Sequence, residues 1–508
     1  MRYGYPLGAT ALALLLATPL GAQTLRYATI GEPPSLDIQM GTATLATTIA
    51  QHMFETLYAF DGEGVPQPFL ATGGEVSEDG LTVKITLREG VMFHDGDEMT
   101  AEDVAASLLR WSEFGARAGI LGLESAEATG DHEVTLTLSE PNGAWQSILA
   151  HPNGGPVIYP ADIVSEAEGE PISPENYVGT GPYVFGELRP NRYVELTRFD
   201  DYTPLDAPAD GEAGGREALF ETLQFIPVPD VGTRMSGVQA GDYDYAEYIS
   251  GDLYGLVAED PAIQVKISEA PIFGLMFTNS EEGPLSDNIP LREAVLAALD
   301  MEQALQVSVG EPELYAVDGA FFPEGSVWHT EAGTEPYNQG DPEKARQMAE
   351  EAGYDGTPLK LLVSTNYREH FDQATVFARQ LGEAGIETEM VVVDWATLLT
   401  LRGQPSEWDL FMTHHGAMPD PVLFTVVNES YPGWWQTDER DAAMAALTET
   451  SDLDERVAAW ADLQTLIWEQ VPTIKVGDVY SFDIASPNLQ TPWEDAPAFP
   501  HFWGASTN

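Results

Sequence analysis

The chain has 508 residues, of which 43% are hydrophobic and 10% aromatic, and it contains no cysteine. That length calls for two or three domains, and the missing thiols exclude disulfides, thiolate catalysis, Cys-held metals and a lipid anchor on an N-terminal cysteine. With 82 acidic against 22 basic residues the formal charge is -60, a field that repels nucleic acid and anionic lipid; the acids are scattered, the pattern of a solvated acidic surface, with attraction of cationic ligands as the functional alternative.

Taken in chain order, the first element is an export signal at 1–22. Arg2 precedes the short apolar run Leu7 to Ala17, and the small residues Gly21 and Ala22 predict cleavage after Ala22, so that the mature chain starts at Gln23 and resides in the periplasm. The run is too short to span a bilayer, and no other apolar stretch of about 18 residues follows. Leu81, Val83, Ile85 and Leu87 alternate with polar residues, and Val134, Leu136 and Leu138 repeat the period, which predicts two strands. Between them Thr100 and Asp103 have the spacing of a capping box and start a helix from Ala101 to about Trp111. Asp200 to Gly215, rich in Pro, Gly and acids, reads as an exposed loop, with a ligand lid as the alternative.

Further on, Asn288 and Pro290 open a helix with Leu291, Val295 and Leu299 on one face, and Asp341 and Pro342 open another that Gly353 closes. Phe371 to Leu381 reads as a helix ended by Gly382 and Gly385, and Met390 to Val393 follows as a buried strand, which makes an α/β unit. The series Leu453, Val457, Trp460, Gln464, Ile467 and Trp468 marks a late helix, and Pro472 turns the chain into a strand at Ile474 to Val476.

Catalytic signatures are missing. There is no Gly-x-Ser-x-Gly elbow, Walker loop, His-Glu-x-x-His or dinucleotide Gly triad, and carboxylate pairs carry no information in so acidic a chain. His414 and His415 are the only adjacent histidines. Neighbours on a strand face opposite ways, so they read as structural residues or ligand contacts before a metal pair. His94, in a tight turn with Asp95 and Gly96, reads as a structural polar residue.

One block is specific. Phe93-His94-Asp95-Gly96-Asp97-Glu98-Met99-Thr100-Ala101-Glu102-Asp103-Val104, led by Leu87-Arg88-Glu89-Gly90-Val91, resembles the signature of extracellular solute-binding proteins of family 5, the dipeptide, oligopeptide and nickel-binding components of ABC importers. Pro34-Ser35-Leu36-Asp37, Gly179-Thr180-Gly181-Pro182-Tyr183, Gly241-Asp242-Tyr243-Asp244, Leu291-Arg292-Glu293-Ala294, Ala352-Gly353-Tyr354, Gly385-Ile386, Trp395 and Trp408-Asp409 follow in the family's order, from about residue 30 onward.

The resemblance implies an α/β, two-lobed periplasmic-binding-protein fold of type II with three subdomains, a hinge and a ligand between the lobes. Lobe I would hold 23–269 with an inserted subdomain at about 52–176, lobe II would hold 270–476, and 477–508 would return to lobe I. It implies a monomeric binding protein and not an enzyme, without cofactor or metal, whose partners are a peptide-like, opine-like or glycoside solute and the permease subunits of an ABC importer. A periplasmic hydrolase and a metal or metallophore carrier are the competing readings. The signature blocks would serve the fold. Ligand contacts would come from the stretch His414, His415, Gly416, Ala417, Met418, Pro419, Asp420 and Pro421, with Glu32, Phe273, Arg368, Trp434 and Trp435 as further candidates. In peptide-binding relatives an Asp three residues before the Asp of the Asp-Pro loop holds the ligand's ammonium group; here that position is Ala417, and His414 replaces an aromatic residue, which implies a ligand without a free amino terminus.

Overall fold

The computed structural model describes residues 23–508; the expected export signal lies outside them. Three sheets carry the architecture. The first has seven strands in the spatial order Gln264–Ile267, Phe482–Ala485, Tyr245–Ile249, Thr24–Thr29, Thr222–Pro227, Tyr193–Arg198 and Tyr183–Arg189. The second has six, in the order Tyr315–Ala316, Thr473–Val479, Ile272–Thr278, Leu410–Gly416, Leu359–Ser364 and Thr388–Val393. The chain passes between these two sheets at 268–271 and again at 480–481, and the passages are tied together by the Ser268 amide, which donates to the Ser481 carbonyl at 2.9 Å. The strand entering the second passage runs on to Val479, past Val476.

The third sheet is antiparallel, Ala71–Val76, Thr82–Leu87, Glu133–Leu138 and Leu123–Gly130. Its period-two sequence does what it dictates: Val83, Ile85 and Leu87 are buried while Lys84 and Thr86 face solvent. The buried face is covered by the helix Ala101–Phe114, which starts where its capping box forms, with the Thr100 amide donating to Asp103 Oδ2 at 2.8 Å. Val104, Leu108 and Trp111 of that helix are buried in the same cluster as Val83 and Ile85, each side chain contributing about 1.5–3 kcal/mol by leaving water.

Two local expectations need correction. Thr388–Val393 is the edge strand of the six-stranded sheet and alternates between half-buried and exposed residues, because only one of its flanks is paired; Val392 is 46% exposed. The loop 200–215 is largely exposed, as its composition predicts, and is pinned at one point: the amides of Glu212 and Ala213 both donate to the Phe60 carbonyl, at 2.8 and 2.9 Å, and Ala213 is buried. The helix expected at Phe371 starts at Arg368 and runs to Glu383, since Gly382 has ordinary helical backbone and the stop comes at Gly385 with φ of 80°.

Candidate ligand site at the carboxyl ends of the second sheet

Leu359–Ser364 runs parallel to both Thr388–Val393 and Leu410–Gly416. Segments that leave the carboxyl ends of parallel strands form the natural ligand crevice of an open α/β sheet. Three such segments meet here. Tyr367 immediately precedes the helix Arg368–Glu383, Trp395 opens the helix Trp395–Leu401, and His414 lies two residues before the end of its own strand. The ring of Tyr367 lies 4.8 Å from those of both His414 and Trp395, and the His414 and Trp395 rings are nearly parallel at 6.1 Å and 16°. Asn366 fixes the arrangement: its Oδ1 accepts the Trp395 amide at 2.9 Å.

Behind this rim stands His370, 1% exposed, with its Nε2 3.0 Å from His414 Nδ1. Burial, reinforced by the neighbouring His414, lowers the His370 pKa to about 3, and burial also lowers that of His414. Both rings are therefore neutral at physiological pH. His415 points to the opposite face of the sheet, where Thr425 Oγ1 lies 3.2 Å from its Nδ1 and Tyr431 Oη 3.4 Å from its Nε2; burial lowers its pKa to about 4.

The remaining candidates fall elsewhere. Asp420 is fully buried and accepts a two-pronged contact from Arg456, at 2.8 and 3.0 Å, so its carboxylate is structural and closed to a ligand. Phe273 lies in the core of the second sheet, 5.8 Å from the Phe424 ring, because its strand has helices on that face. Trp434 stacks on Trp408 at 5.7 Å, and Trp435 is buried with its Nε1 donating to Gln470 Oε1 at 2.7 Å. Trp435 is an interior residue, as large aromatic side chains are in most cores, and Trp434 is half-buried against the same core. Arg368 is 92% exposed and among the described residues bridges only to Asp372, one helical turn on, at 3.3 Å, so a carboxylate meeting it would stay solvated. Glu32 is exposed and accepts the Asn191 amide at 2.7 Å, bracing the turn between the edge strand Tyr183–Arg189 and its neighbour Tyr193–Arg198.

Gly416 and Ala417 adjoin the first passage: Gly416 is in register with Ile272, and the Ala417 amide donates to the Pro271 carbonyl at 2.9 Å. A Cβ on Gly416 would meet nothing within 4 Å, so its backbone faces open space. Met418, with Val422 and Leu423, packs against the core of the antiparallel sheet, and two main-chain bonds cross the same junction: Val327 to Glu63 at 3.0 Å and Gly143 to Thr448 at 2.6 Å. The candidate loop thus has a rim end at His414 and a docking end at Met418. Tyr367 and His370 had no place among the sequence candidates; their i, i+3 spacing at a helix start, beside a parallel strand, is the signal that could have found them.

The specific sequence blocks are structural. His94 Nδ1 accepts the Gly179 amide at 3.2 Å, which leaves Nε2–H to donate to the Gly181 carbonyl at 3.0 Å, and burial lowers its pKa to about 4. Asp37 is held by Arg110, which leaves the signature's helix to meet it at 2.5 and 3.2 Å in a fully buried pair. Two surface hollows, of about 270 and 340 Å³, are lined by Trp111, Leu121 and Ser139 and by His94, Tyr177 and Phe185, and neither touches the rim.

The sequence matches the family described as bacterial extracellular solute-binding proteins, family 5 Middle, over residues 65–434. A probable peptide ABC transporter periplasmic-binding protein, y4tO, of Sinorhizobium fredii is 28% identical over 455 residues, covering 86% of this chain and 85% of the relative. The glutathione-binding protein GsiB of Salmonella typhi is 26% identical over 459 residues, covering 87% of this chain and 86% of its own. Among solved structures, HbpA2 from Haemophilus parasuis has the same fold with a TM-score of 0.80 at 20% identity, covering 96% of this chain and all of the other. With its signature blocks knitting the base of the first sheet and its fold shared along nearly the whole length, the chain belongs to the bacterial extracellular solute-binding proteins of family 5.

Proposed function

We propose that this protein is exported, loses residues 1–22, and captures a peptide-like solute between its two lobes for delivery to an ABC importer. Family membership and the peptide and glutathione binding named for its relatives support the substrate class. Closure would swing the lobes about the passages at 268–271 and 480–481, with ligand contacts on both sides offsetting the cost of shutting.

The observation that carries the finer reading is that the loop after His414 offers no free carboxylate. Ala417 has none, and that of Asp420 is taken by Arg456. An ammonium group enclosed there would be a buried, unpaired charge, which is costly. The ligand is therefore an amino-acid or peptide conjugate with a blocked amine, with an opine-like compound or a small glycoside as the alternatives. Native mass spectrometry of the mature protein identifies what co-purifies, and calorimetry against matched free and N-acetylated dipeptides tests the exclusion. Tight binding of several unmodified dipeptides would refute it. N-terminal sequencing of the exported protein should read Gln23 first.

A further inference from the structure

The histidine pair behind the rim fixes which atom the rim offers to a ligand. His370 and His414 are both neutral, so one proton sits between Nε2 of His370 and Nδ1 of His414 across 3.0 Å. The other nitrogen of His370, Nδ1, is buried and has no hydrogen-bond partner among the described residues. Two arrangements remain. If His414 donated, His370 would carry its own proton on Nδ1, a buried N–H without an acceptor. If His370 donates, its Nδ1 is a bare lone pair. Buried orphan N–H groups are rarer and costlier than under-used acceptors, so the second arrangement wins.

The consequence passes along the pair. His414 receives at Nδ1 and must hold its proton on Nε2, which makes no hydrogen bond among the described residues. The negative charge of Glu369 acts on the His414 ring. The half-buried rings of Tyr367 and Trp395 stand beside it.

We infer that His414 Nε2–H is a fixed hydrogen-bond donor on the rim, and that it selects an uncharged acyl oxygen, the carbonyl of an amide or ester, laid against Tyr367 and Trp395. The flat faces suit a planar acyl group. The charge of Glu369 and the -60 of the whole chain disfavour a carboxylate in the same place. This deepens the proposed function and rests on it for the peptide-like ligand, whereas the proton's position does not.

The tautomer is read first, without ligand. In protein labelled with 15N-histidine, the His414 signals, identified by their loss in His414→Phe, should show the proton on Nε2 at neutral pH. A proton on Nδ1 overturns the proposal. In His370→Phe the lock is gone and His414 should show both tautomers; a variant that only loosened packing would not move these signals. Binding is then measured with N-acetyl-alanyl-alanine. His414→Phe keeps a ring but lacks the donor and should bind about tenfold more weakly, the worth of one good hydrogen bond, and His414→Gln should recover most of the loss. Equal affinity for wild type and His414→Phe overturns the acyl contact. Wild type that binds free dipeptides and rejects the acetylated one overturns the functional reading, and the acyl ligand with it, while the tautomer result stands by itself.

Discussion

Replacing Arg456 with methionine should unfold the protein at much lower urea concentration, by an amount the local structure sets. The guanidinium reaches Asp420 through Nη1 and Nη2 at 3.0 and 2.8 Å, and its Nε donates to the Leu447 carbonyl at 3.1 Å. Neither side chain of the pair is more than 4% exposed. In Arg456→Met, Asp420 keeps one donor, the Val422 amide at 3.0 Å, but loses its counter-charge. Stranding a buried carboxylate costs about 3–5 kcal/mol, and the Leu447 carbonyl loses its donor for roughly 1 kcal/mol more. Asp420→Leu strands the guanidinium instead, at a similar cost. The double variant removes both charges and should lie within about 2 kcal/mol of wild type, since buried pairs replaced by apolar groups are often near neutral. Urea titrations of the four proteins give the coupling energy directly. Additive single effects below about 1 kcal/mol would refute the buried pair. Loss of ligand binding in Asp420→Asn at unchanged stability would refute its purely structural role.

Three further outcomes are expected. Gly477 has φ of 147°, and a Cβ there would lie 2.7 Å from the Ala316 carbonyl and 2.5 Å from Leu305 Cδ1; Gly477→Ala should cost about 1–3 kcal/mol in urea unfolding, and an unaltered midpoint would show the strand gives way. His370 is held neutral with a pKa of about 3, well below the ordinary 6.5. Its contribution is present above pH 6.5 and lost as the pH falls toward 3, so wild type should lose stability between pH 6.5 and 4 more steeply than His370→Phe, and parallel curves would contradict the assignment. Installing the missing carboxylate in Ala417→Asp should improve binding of an unmodified dipeptide by about tenfold or more, as a hydrogen bond to a charged group is worth about 1.5–3 kcal/mol; calorimetry showing no gain would place the ammonium elsewhere.

Local chemistry was legible in the sequence. Thr100 and Asp103 cap the helix they predict, Asp341 caps the Lys344 amide, and the alternation around Val83 becomes a one-sided strand. The site was legible only where it is local. His414 could be singled out, but its partners Tyr367, His370 and Trp395 come from two other strand ends and carry no shared motif. Asp420 and Arg456 are 36 residues apart, so nothing nearby in sequence reveals that the carboxylate is occupied. Trp434 and Trp435 have the composition of a binding wall and of a core alike; burial makes Trp435 a core residue, and stacking on Trp408 ties up a face of the half-buried Trp434. The edge position of Thr388–Val393 depends on which strands pair, which its own apolar run cannot specify.

The paired passages between the sheets, laced by Ser268 and Ser481, have a practical corollary. In the proposed closure, two passages joined side by side would permit a swing about one axis and resist twisting and sliding, so that a single distance between the lobes would report their state. Because the chain has no cysteine, two thiols can be introduced at solvent-facing sites such as Glu127 and Glu350 and labelled with a donor and an acceptor dye without background. Energy transfer between them would turn the molecule into a reagentless optical gauge of whatever compound it carries.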